Sequence, residues 1–122
     1  MGASEREGPR KDPPDQRPAY FPDFHPQAEE ELVLAVADYE SAQEGLGARF
    51  HDAVQQQIEK ILDNPFLYPA VTIHRRKATM DRFPFCLYYI VWKRKKIITI
   101  LSIHHAKRRP SNWRRRNQNW RT

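Results

Sequence analysis

Two adjacent histidines, His104 and His105, and five cations, Arg75, Arg76, Lys77, Arg82 and Arg108, are the candidate reactive groups in a chain of 122 residues. Imidazole exchanges protons near neutral pH. Guanidinium and ammonium groups neutralise the charge that builds on a phosphate oxygen. Brought to one surface, these groups have the makings of metal-free phosphodiester chemistry. Neighbours in a strand point to opposite faces, so only one histidine of the pair can face such a site, and the other must be packed or hydrogen-bonded. One cysteine and a histidine pair do not close a zinc ligand set, so no metal and no cofactor is expected. Cys86 reads as a small core residue. The tyrosines and Trp92, at alternating positions, read as core rather than as platforms for bases.

The net charge of +6 conceals a steep gradient. Residues 1–18 carry four basic and four acidic side chains. Residues 19–64 carry ten acidic side chains against Arg49 and Lys60, a net of −8, and residues 65–122 carry fifteen basic ones against Asp81, a net of +14. A half-molecule so charged attracts polyanions by counterion release, or an acidic protein through the same field. Lys107, Arg108 and Arg109 lead up to Trp113, an aromatic anchor among cations and a candidate target-binding segment. Arg114, Arg115 and Arg116 follow in a short basic tail, residues 114–122.

The elements that must position these groups follow from periodicity. Residues 1–18 hold four prolines and almost nothing apolar, and are expected to be disordered. A single domain then spans residues 19–113. Residues 19–24 read as a short strand, which Pro22 confines to a sheet edge or a bulge. His25 stands at an N-cap position with Pro26 first in the helix. Ala28, Leu32, Ala35, Val36, Tyr39 and Ala42 form an apolar stripe over a first helix, residues 26–43. Gly45-Leu46-Gly47 breaks it. Phe50, Ala53, Val54, Ile58, Ile61 and Leu62 repeat the pattern over residues 48–63, and Asn64-Pro65 ends it. Beyond Val71 the period changes to that of strands, at residues 72–80, 85–92 and 97–103, with Lys93–Lys96 as a charged hairpin turn. The expected class is α+β: an edge strand, an antiparallel helical hairpin, then a small antiparallel meander. Strand 85–92 is apolar on both faces, and the helices can cover only one. The other, with Tyr88, Ile90 and Trp92, is expected to stand open for a partner. No apolar run is long enough to span a membrane, no secretory signal is evident, and the single cysteine suits a reducing cytoplasm.

Five segments in order resemble one family. Phe24–Leu32 is similar to the opening of RelE/ParE toxins, and Gly45-Leu46-Gly47-Ala48-Arg49-Phe50 to their inter-helix turn. Asn64-Pro65-Phe66-Leu67-Tyr68-Pro69 resembles their helix exit, Arg82–Tyr89 their strand entry, and His105–Trp113 their C-terminal motif. The resemblance covers residues 19–113 and is nearer the ParE branch. It implies a toxin of a type II toxin–antitoxin pair, silenced by a cognate antitoxin. ParE-type members block DNA gyrase; RelE-type members cut messenger RNA on the ribosome. The RelE-like branch usually carries an arginine where this chain has Cys86, and a tyrosine or histidine near the chain end where this chain has Trp113. A gyrase inhibitor is therefore the leading expectation. If the chain is instead a nuclease, Lys77, Arg82, His105 and Arg108 are the catalytic candidates. A non-toxic interaction module with the same fold is the third reading. The implied partner is an antitoxin with an acidic, disordered segment, bound at Tyr88, Ile90 and Trp92. A homodimer hiding that face is the competing assembly.

Overall fold

A computed structural model describes residues 20–107 of the chain. In chain order it forms β1 (Phe21–Phe24), α1 (Pro26–Ala42), α2 (Leu46–Asp63), β2 (Arg75–Thr79), β3 (Phe85–Trp92) and β4 (Ile97–His105). The sheet order is β1-β4-β3-β2. β2, β3 and β4 are the expected antiparallel meander. β1 lies parallel to β4, with Phe21 opposite Ile97 and Phe24 opposite Ile100, so the sheet is mixed. Pro22 occupies an edge strand, where a missing donor costs no ladder bond. No helix among the described residues is long and apolar enough to cross a membrane.

Both helices start as their residues dictate. The His25 Nδ1 accepts the Gln27 N–H at 3.1 Å, capping α1 ahead of Pro26. Gly45, at φ +87°, makes the left-handed turn between the helices, and α2 begins two residues earlier than periodicity suggests. No side chain of its own caps α2. The Glu40 carboxylate reaches across from α1 instead, accepting the Gly45 N–H at 2.9 Å and the Gly47 N–H at 3.0 Å. That crossing is tight: a Cβ on Gly47 would lie 2.6 Å from the Val36 carbonyl oxygen and 3.0 Å from the Glu40 Cβ.

The main core lies between the helical hairpin and one sheet face. Phe50, Val54, Ile58 and Ile61 of α2 meet Leu87, Tyr89, Ile98, Ile100 and Ile103 of the central strands. Tyr39, Phe50, Phe83 and Phe85 interlock beside it, with ring centroids 4.8–6.1 Å apart. The segment from Asn64 to Pro69 is pinned from three sides. The Tyr89 hydroxyl donates to the Pro65 carbonyl at 2.6 Å, Gln57 Nε2 donates to the Tyr68 hydroxyl at 3.0 Å, and the Arg76 guanidinium donates to the Tyr68 carbonyl at 2.7 Å.

β2 is shorter than expected. The Val71 and Thr72 N–H groups both turn back onto the Arg75 carbonyl, so regular pairing with β3 starts only at Arg75. The second sheet face departs further from expectation. Cys86, Tyr88, Ile90 and Leu101 form a second buried cluster with Trp92 packed against it, and no residue of α1 or α2 takes part. Tyr88 is 7% and Ile90 3% exposed, so this face does not stand open. Part of the shelter comes from within the sheet. Lys77 and Ser102 flank Tyr88, Arg75 and Thr99 flank Ile90, and long cationic stems cover apolar surface beside them.

Because a Cβ at Gly47 meets backbone rather than a movable side-chain end, Gly47→Ala is expected to cost about 1–3 kcal/mol. Urea denaturation of the variant beside the wild type measures it, with Ala48→Gly as a helix-propensity control of about 1 kcal/mol.

Candidate functional site

The placement of the catalytic candidates turns on one irregularity. Tyr89 pairs with Ile100 and Tyr88 with Ser102, so Leu101 is an extra residue in β4. Strict alternation from Ile98 and Ile100 would put His104 on the helix side and His105 on the other. The bulge reverses this. His105 pairs with Phe85 on the helix side, its ring edge-on to Phe85 at 5.4 Å. His104 pairs with Cys86 on the opposite side, its ring 6.2 Å from that of Tyr88. Lys77 pairs with Tyr88 and so belongs to the face that His105 does not share. Arg82 lies in the loop before β3, beside Arg49 and Asp52 of α2. Arg108, Arg109 and Trp113 fall outside the described residues; Lys107 is exposed at the end of β4. Lys77, Arg82 and His105 are thus dispersed over three surfaces.

His105 opens onto a groove of about 450 Å³ between α1 and the ends of β3 and β4. Among the described residues its charged lining is Glu31 and Asp38, with no lysine or arginine. A phosphodiester would meet like charge there. The Glu31 carboxylate is also engaged in structure. It accepts the Ile103 N–H at 2.9 Å, beyond the stretch of β4 that β1 covers, and lies 3.8 Å from the His104 Nδ1. By register Lys77, Tyr88 and His104 belong to the other face, His104 also bordering the groove through Glu31. Burial, and after it the neighbouring Cys86, pushes the Tyr88 phenol above its ordinary range, so it stays protonated at neutral pH. With His104 9% and Tyr88 7% exposed, neither ring is presented to a substrate.

Cys86 is buried, its sulfur 3.7 Å from the Thr79 hydroxyl, in the role of a small core residue. Trp92, half-buried, donates its Nε1–H to the Thr99 hydroxyl at 2.9 Å, and Thr99 donates in turn to Asp23 at 3.0 Å. Sequence reading missed the pairing of His104 with Glu31 and its place beside Tyr88. No local residue pattern announces the bulge that causes it. Among the described residues, no group of three or more histidine, cysteine, aspartate or glutamate side chains is arranged to hold a metal ion.

Residues 23–110 match the family described as the ParE toxin of the type II toxin–antitoxin system parDE, and the chain belongs to it. It is thus a type II toxin of the RelE/ParE superfamily. The fold is similar to that of the isolated E. coli RelE toxin, at 18% identity over 81% of this chain and 97% of that one, with a TM-score of 0.56. It is similar also to the chromosomal ParDE system of P. aeruginosa, at 20% identity over 71% and 96%, with a TM-score of 0.59. The intact E. coli RelBE toxin–antitoxin complex gives 20% identity over 73% and 99%, and a TM-score of 0.56. No curated protein sequence matches significantly.

The phenols of Tyr39, Tyr88 and Tyr89 are all held above the ordinary value of 10.0, burial being the first cause in each. Tyrosines of the unfolded chain therefore lose their protons first. The stability these groups contribute is full below pH 10.0 and declines as pH rises toward the folded values. Urea midpoints should accordingly fall between about pH 9 and pH 11. They should fall less steeply in Tyr88→Phe, which no longer carries one of the ionising groups.

Proposed function

We propose that this toxin inhibits DNA gyrase by binding, as ParE-type members do, and that a cognate antitoxin keeps it silent. The observation that carries the reading is the separation of His105 from Lys77 by the sheet itself. Metal-free RNA cleavage needs base, acid and cations around one phosphate. Here the accessible histidine faces carboxylates instead. Cys86, where the RelE-like branch usually has arginine, is a buried thiol. A binding inhibitor needs none of that machinery, only a surface. Lys107 and the segment Arg108, Arg109 and Trp113 supply cations and an aromatic anchor for the target.

The antitoxin segment proposed here is acidic and apolar, matching a half-molecule at +14. Trp92 is its first point of contact on the far sheet face, and it must open that face to reach Tyr88 and Ile90. The pair works in the cytoplasm, where gyrase acts, without a membrane or a cofactor.

Two assays on purified full-length protein decide the target. Gyrase supercoiling should be inhibited, and messenger on translating ribosomes should stay intact. Codon-specific cuts in ribosome-bound messenger, with gyrase unaffected, would reject gyrase in favour of the ribosome. Silence in both assays, with no growth arrest on induction, would leave an interaction module.

A further inference from the structure

Seven large apolar residues among those described are exposed, and four of them fall in one short stretch: Phe66, Leu67, Val71 and Ile73, at 43, 65, 40 and 89%. This stretch leads into β2 and borders the β3–β4 hairpin turn. Between them lies a cleft of about 630 Å³. Val91 and Trp92, beyond the last β2–β3 pair at Arg75 and Ile90, line it together with Ile73. Its cationic lining is Arg76, Lys93, Arg94 and Lys95, with His74 beside them and no carboxylate among the described lining residues. Two of the cations are already positioned. The Arg76 guanidinium is 4.9 Å and the Lys93 ammonium 5.2 Å from the centre of the Phe66 ring.

An apolar floor ringed by unneutralised cations has a definite complement. We infer that the cleft between residues 66–74 and the β3–β4 turn is a protein-docking site for an acidic segment carrying large apolar side chains. Charge complementarity selects the acidic residues, and the apolar lining of Phe66, Ile73, Val91 and Trp92 selects leucine- or phenylalanine-like anchors. A nucleic-acid strand fits less well. Bases stack on flat, open rings, whereas Phe66 is engaged by two cations, Trp92 is half-buried with its Nε1–H bonded to Thr99, and Ile73 and Val91 are aliphatic. The cleft shares Trp92 with the antitoxin contact proposed above but none of Cys86, Tyr88, Ile90 and Leu101, and it stands whether or not gyrase is the toxin's target.

Fluorescence anisotropy on the full-length chain tests it. The probe is a labelled peptide alternating glutamate with leucine and phenylalanine. Comparison probes are the same peptide with serine at every apolar position, and oligothymidylate. The apolar acidic peptide should bind about tenfold more tightly than its serine analogue. Ile73→Ser and Arg94→Glu should each weaken it by about tenfold, whereas Arg49→Glu, the same charge change on α2, should not. All three positions are exposed, and circular dichroism verifies folding. Equal binding of the serine analogue, tighter binding of oligothymidylate, or indifference to Ile73→Ser and Arg94→Glu would each overturn the assignment. So would failure of the peptide to bind.

Discussion

β3 and β4 pair along their whole length, and both carry apolar side chains on each face. Everything else answers to that pair. One face, through Leu87, Tyr89, Ile98 and Ile100, takes the helical hairpin. The other, through Cys86, Tyr88, Ile90 and Leu101, makes a core of its own. A sheet buried on both sides has little room for reactive polar groups, and those present are pressed to its ends. The extra residue at Leu101 then determines which end group belongs to which side, sending His104 and His105 opposite ways from strict alternation.

The helical hairpin contributes more than cover. Glu40 spans the tight turn to hold the start of α2, and Glu31 ties α1 to the uncovered end of β4. Part of the acidic charge of the first half is thus structural, and part lines the groove that reaches His105. The cationic charge of the second half collects at the hairpin turn and beyond β4. This division leaves the helical side repelling phosphates and the turn attracting carboxylates.

Much of the fold was legible because its signals are local. Pro22 marked an edge, His25-Pro26 a capped helix start, Asn64-Pro65 a helix end, and Phe85–Trp92 a strand whose bounds hold to the residue. Motif residues proved to be structural fixings: Tyr89, with Gln57 of α2, secures the Asn64–Pro69 segment, and Gly47 lets the helices meet. Signals that depend on register were not legible. Alternation cannot show a bulge, so it could not say which histidine belongs to which face. Nor does it show the β1–β4 pairing, because parallel partners far apart in sequence share no turn signal. The far face was expected to be open because its apolar parity was visible and its burial was not.

The separation of His105 from Lys77 is the claim on which the reading of this toxin as a binder rests. Growth arrest on induction, measured for His105→Ala combined with Lys77→Ala at matched protein levels, tests it most directly. Arrest undiminished in the double variant is the predicted result. Arrest abolished, with the variant folded and present in equal amount, would mean that residues on opposite faces cooperate in catalysis and would contradict the account.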